Sequence, residues 1–195
     1  MHTACMARLS LALILLGVPG VVLAQECSNQ REQLAKMPLA ERIYHAASPM
    51  TAPEADLDTL AKLLDAKDSP GPDAYRDAKG RTALLAAAMN GRTDAVDVLL
   101  EHGAAVEATD DQGQNALMIA AGNVWPDVMR RLLDAPGARA LNLHAADKSG
   151  NTAVSLATSA KEYMATPDRA EAVLGMLAKA ETETQPQLQE PRVEL

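Results

Sequence analysis

Asp77-Ala78-Lys79-Gly80-Arg81-Thr82-Ala83-Leu84-Leu85-Ala86-Ala87-Ala88 opens a stretch that runs through Asn90-Gly91, Ala95-Val96-Asp97-Val98-Leu99-Leu100 and His102-Gly103-Ala104 to Asp110. There it begins again, as Asp110-Asp111-Gln112-Gly113-Gln114-Asn115-Ala116-Leu117. Gly80 and Gly113 lie 33 residues apart. A third copy, Asp147-Lys148-Ser149-Gly150-Asn151-Thr152-Ala153-Val154, places its glycine 37 residues further on. Self-similarity at such a period marks stacked units, none of which can bury its apolar face alone.

Each unit reads as a turn and two helices. Thr82 stands at an N-cap, where its hydroxyl can accept from a free N–H of the first helical turn. Leu84, Leu85, Ala86 and Ala88 build a first helix whose alanines let neighbouring units approach closely. Gly91 is placed to end it in the left-handed conformation. Asp94 to His102 forms the second helix, with Val96, Leu99 and Leu100 inward, and Gly103 ends it. The second unit puts Asn115 at the cap and Val124-Trp125-Pro126 where the first has its glycine turn. Pro126 suits the first turn of the helix Asp127 to Asp134. The turn region that follows, Ala138 to Ala146, carries the four residues by which 37 exceeds 33. In the third unit, helices are expected from Thr152 to about Ala160 and from Asp168 to Ala180, joined by a loop from Glu162 to Pro167. Upstream, Leu39 to Ala47 and Ala55 to Ala66 show helical spacing, with Leu57, Leu60, Leu63 and Leu64 on one stripe. This pair has no leading turn motif, as befits a terminal cap facing water.

The turn, the two helices and the period resemble the ankyrin repeat. The fold class expected is therefore all-α: an ankyrin-repeat solenoid of about four repeats with degenerate caps. Its units would span residues 39–76, 77–109, 110–146 and 147–180, within a domain of 39–180. The resemblance implies that a partner docks on the concave side, against fingertips and inner helices. Matched by position, that surface comprises Arg76, Lys79, Arg81, Met89 and Asn90 in the first full repeat. It continues with Thr109, Asp111, Gln112, Gln114 and Asn123, with Trp125 beside them, and with His144, Lys148, Ser149 and Asn151 in the third copy. The first group is basic and the second polar to acidic. Trp125 is an aromatic of hot-spot type; alternatively its indole covers the junction between the second and third copies.

Composition sets further bounds. Nearly half of the 195 residues are apolar, yet there is no Phe, one Trp and three Tyr. Ala and Leu suit close-packed helices rather than an aromatic, β-branched sheet. A net charge of −8 argues against nonspecific nucleic-acid binding and against docking on an anionic membrane. At the N-terminus, Arg8, the apolar run Leu9 to Val18, the break Pro19-Gly20 and the small-residue site Val22-Leu23-Ala24 read as a secretory signal peptide cleaved after Ala24. The stretch from Leu9 to Ala24, roughly 16 residues, falls short of the about 20 that a spanning helix needs. Residues 25–38 form a polar lead-in and 181–195 a tail expected to be disordered. Cleavage would leave Cys27 as the one thiol, unable to form an internal bridge.

No catalytic constellation stands out. His45, His102 and His144 fall in different structural roles, and His102 sits where a helix end favours positive charge. There is no His/Cys pair at metal spacing, no nucleophile elbow around Ser155 or Ser159, and no phosphate-binding loop at Gly80 or Gly113. Asp110-Asp111 offer too few oxygens for calcium. The reading is a non-enzyme with no cofactor, monomeric, exported to the periplasm or beyond, that binds a protein. Short signal-bearing ankyrin proteins of this kind resemble bacterial ones associated with catalases and peroxide resistance, which implies an accessory role for a haem enzyme. An immunity protein that blocks a periplasm-targeted toxin is a second reading. A small-ligand or haem carrier, using His45 or His144 with methionines, is a third.

Overall fold

The computed structural model describes residues 37–47, 55–135, 142–163 and 167–184. The stretch read as a signal peptide, Cys27, most of the polar lead-in, the tail from 185 and the start of the third turn region lie outside them. Eight helices are present among the described residues: α1 Leu39–Ala47, α2 Ala55–Leu64, α3 Ala83–Met89, α4 Thr93–Glu101, α5 Ala116–Gly122, α6 Pro126–Asp134, α7 Ala153–Tyr163 and α8 Pro167–Thr184. They pair in sequence order, and the pairs stack. Helix α1 packs on α3, α3 on α5 and α5 on α7, while α2, α4, α6 and α8 form a second layer in the same order. The last helix continues to Thr184, past the end at Ala180 expected from its apolar residues. Glu181 and Thr182 thus belong to α8, where a disordered tail was expected to begin.

The inner helices are short because burial, not length, stabilises them. Seven residues make an isolated helix unstable in water. In α3, all six residues Ala83 to Ala88 are buried, and in α5 so are all six from Ala116 to Ala121. A helix apolar on every side belongs between neighbours, and the small alanines set the close spacing. The outer helices are amphipathic. Ala95, Val96 and Leu99 of α4 face in, as do Val128, Met129 and Leu132 of α6, while Asp94, Glu101, Arg130 and Arg131 face water.

The helix ends follow one recipe. The Thr82 side chain accepts from the Leu85 N–H, and Asn115 from that of Met118. Thr152 and Ser155 cap reciprocally: each side chain accepts from the other's backbone N–H. At the far end of α3, Gly91 has φ +68°, its N–H reaches Ala88 O, and the Arg92 N–H reaches Ala87 O. This paired closure needs a left-handed residue. Helix α5 ends in the same way, with Trp125 N–H on Ala120 O and Val124 N–H on Ala121 O. Here the left-handed residue is Val124, at φ +58°. A β-branched residue there is strained, and Val124 tolerates it because its side chain is almost wholly buried. On the outer layer, Gly103 closes α4 at φ +79°. His102 caps the same end. Its Nδ1 lies 2.7 Å from Val98 O and its Nε2 3.0 Å from Asp65 Oδ1, tying α4 to the segment after α2. Both partners accept, so the imidazolium suits the site, and the Asp65 hydrogen bond foremost raises the ring's pKa.

Two consequences can be measured. Replacing fully buried Leu99 or Leu117 by Ala should destabilise the array by about 2–5 kcal/mol in urea denaturation followed by circular dichroism. At Val124, the glycine variant should be more stable than the alanine variant by roughly 1 kcal/mol, because glycine relieves the left-handed backbone and alanine does not.

Candidate binding face

Each finger is folded by one aspartate. Asp77 Oδ1 accepts from the N–H groups of Lys79 and Arg81, both at 2.9 Å. Asp110 Oδ1 does the same with Gln112 and Gln114, at 2.8 and 2.9 Å, and Asp147 Oδ1 with Ser149 and Asn151, at 2.9 and 2.8 Å. Across each turn the aspartate N–H reaches the carbonyl of Arg81, Gln114 or Asn151, and the glycine N–H returns to the aspartate carbonyl. Gly80, Gly113 and Gly150 supply the positive φ that the hairpin requires. The fingers are then joined to one another. Asp111 N–H donates to Lys79 O at 3.0 Å, and Lys148 N–H to Gln112 O at 2.9 Å.

This construction sorts the residues expected at a binding face. Arg81 is committed to the fold. Its Nε and Nη2 donate to Asp77 Oδ2, at 2.8 and 2.5 Å, and its Nη1 points at Met89 Sδ. Gln114 and Asn151 both donate to Asp147 Oδ2. Asn90 and Asn123 each bond the carbonyl four residues back, Ala86 O and Ile119 O, at the ends of α3 and α5. Thr109 bridges to Asn115. The Asp111 carboxyl lies over Gly80, in the space a Cβ would need. His144 is turned toward α8, 3.9 Å from Glu181, rather than toward the fingertips. His45 stacks edge-on against Tyr44 in α1, so the two histidines stand at opposite ends of the array and do not converge on a shared ligand.

Trp125 covers a different junction from the one expected. Its indole lies against Gly91, where a Cβ would come within 2.7 Å of the ring, and Nε1–H donates to Met89 O at 3.2 Å. The side chain therefore covers the junction between the first and second full repeats, not the second and third. Within the fingers themselves, exposed side chains recur at the same three positions of each copy. They are Arg76, Ala78 and Lys79, then Thr109, Asp111 and Gln112, then Ala146, Lys148 and Ser149. The sequence reading had not singled out Ala78 or Ala146, which are exposed by position alone.

The N-terminal cap closes the first finger electrostatically. No finger precedes α1 among the described residues, and Tyr44 of α1 donates to Asp77 Oδ2 at 2.7 Å. Burial and that bond push the Tyr44 hydroxyl up to about 12. Burial alone would raise Asp77. The hydrogen bonds from the Arg81 side chain and backbone, Tyr44 and Lys79 outweigh it and hold the carboxyl well below the usual range. Asp147 is lowered too, first by the Asn151 N–H and then by Gln114. Tyr75 lies beside Tyr44, with ring centroids 5.3 Å apart, and its hydroxyl faces Glu41 at 3.5 Å.

Comparison with known proteins agrees with this geometry. A family model described as ankyrin repeats, three copies, matches residues 45–141. Mouse ankyrin repeat domain-containing protein 63 is similar, at 37% identity over 84 residues, which is 43% of this chain and 22% of the mouse protein. The shared stretch is thus about a fifth of that relative. Among the described residues, no helix is long and apolar enough to cross a membrane, and no three His, Cys, Asp or Glu side chains are grouped to hold a metal ion.

The Asp77 clamp has a pH signature. Its folded pKa is depressed, so its stabilisation is present above the unfolded carboxylate pKa, about 3.9, and is lost as pH falls below it. Asp77→Asn should cost about 2–3 kcal/mol at neutral pH. The gap from the unmodified protein should narrow progressively in denaturation curves recorded below about pH 4. A gap independent of pH would show that the charge is immaterial.

Proposed function

We infer that this chain, an ankyrin-repeat solenoid, is a non-enzymatic binding module that holds one protein partner against its finger tier. Ankyrin repeats are a protein-interaction fold. The observation that supports this site is the register of exposed positions: three per finger, on a backbone ladder tied from Lys79 through Asp111 and Gln112 to Lys148. Such a row is fixed before a partner arrives, which lowers the ordering cost of association. The sequence features around Arg8, Leu9 to Val18 and Ala24 support export, and with it a partner in the periplasm or outside the cell. A catalase-type enzyme served by an accessory factor is the partner that the family resemblance favours.

The test follows from which side chains are free of structural duty. Arg76 and Arg81 tie the fingers, so replacing them would confound binding with stability. Lys79→Glu, Gln112→Glu and Lys148→Glu change exposed tips, where substitutions away from special contacts shift stability by about 0.5 kcal/mol or less. Used as bait in an extract of the native host, the purified protein should recover one stoichiometric partner. The triple variant should recover far less while melting at nearly the same temperature. Equal recovery would move the site off the finger tier. N-terminal sequencing of the exported form should begin at Gln25; an intact Met1 in the membrane fraction would overturn export with cleavage.

A further inference from the structure

We propose that Arg76 is a preset docking point for a carboxylate, and that the finger tier therefore selects an acidic segment of its protein partner. This rests on the finger tier being the binding face. Arg76 is exposed, yet its head is fixed. Nη1 donates to Gly80 O within its own finger and to Thr109 O on the next, both at 2.7 Å. Those two bonds use both hydrogens of Nη1. The edge formed by Nε and Nη2 is left without a partner among the described residues, and it is the edge that can receive a carboxylate through two parallel hydrogen bonds.

The contrast with three other arginines gives this weight. Arg81 is paired with Asp77, Arg131 with Asp97 at 3.4 Å and Arg130 with Asp127 at 3.8 Å. Arg76 faces no such partner among the described residues, although the chain carries a net charge of −8. A freely moving arginine loses rotamer entropy when it pairs; one already held by two carbonyls has less to lose. Its surroundings agree in sign. Of the nine exposed tip side chains, Arg76, Lys79 and Lys148 are cationic, and Asp111 alone is acidic. The chain's overall negative charge disfavours a polyphosphate backbone, whose binding scales with the number of cations engaged. Acidic side chains of a protein are the fitting ligand.

The probe is a capped peptide of alternating Gly and Glu, titrated at low ionic strength into the purified protein and followed by 1H–15N NMR. The Arg76 Nε–H and the amides of Lys79 and Gln112 should shift together and saturate. The same peptide with Gln for Glu should cause no saturable shift. Arg76→Gln should weaken binding roughly tenfold or more, the loss expected for a charged hydrogen-bonded pair. Arg76→Lys, which keeps charge without the planar edge, should fall between. Should Arg76→Gln loosen the finger, the Glu and Gln peptides on the unmodified protein still decide the matter. Shifts centred elsewhere, the same affinity for both peptides, no shift at all, or tighter binding of an oligothymidylate would each overturn the proposal. The extract experiment stays separate. A partner captured equally well by Arg76→Gln would sink the carboxylate site and leave the finger tier as the binding face.

Discussion

One carboxylate oxygen per repeat, accepting two backbone N–H groups, is the bond on which the finger tier depends. Asp77, Asp110 and Asp147 each fold a five-residue hairpin by the same pair of bonds. Without that oxygen, the N–H groups at the second and fourth positions after the aspartate would need other acceptors, and the fourth lies in a partly buried place where an unpaired polar group is costly. The second oxygen differs among the copies. It takes Tyr44 and Arg81 in the first finger, and Gln114 and Asn151 in the third. The common oxygen sets the shape, and the variable one sets how each finger meets its neighbour.

The helices depend on a different constraint, the size of alanine. Inner helices of seven residues persist because their alanines bring each against the next, and the outer layer closes over them. Stability is accordingly shared between neighbouring repeats rather than held within any one. Trp125 fits this scheme. It reaches back one repeat to lie on Gly91, at a place where any Cβ would meet its ring. The glycine is thus required twice, once for its own backbone angle and once for the indole above it.

Much of this was legible in the sequence. Period, caps and apolar spacing place the helices, and Thr82, Asn115 and Gly91 do what their chemistry suggests. Val124 was not legible, because nothing local announces that a buried valine will adopt the angle its glycine counterpart adopts. The binding face was legible only as a set of positions. Sequence spacing places Arg81 near the surface, but its capture by Asp77 depends on a turn folding back within four residues and on Tyr44 arriving from 33 residues upstream. Likewise Arg76 reads as one more basic residue until Thr109 O, also 33 residues away, is seen to hold it. Contacts made only on folding, not local propensity, separate Arg81, whose fork Asp77 takes, from Arg76, whose Nε–Nη2 edge meets no partner among the described residues.

The second and third fingers are set 37 residues apart in sequence, the first and second 33. The bond between neighbouring tips does not register the difference: it measures 3.0 Å in one case and 2.9 Å in the other. All four additional residues fall after α6, between Asp134 and Asp147, where 12 residues stand in place of the eight between Glu101 and Asp110. Contour length and finger spacing are therefore independent variables in this chain. A gene encoding it can gain or lose codons behind the fingers while the ruler presented in front keeps its graduations.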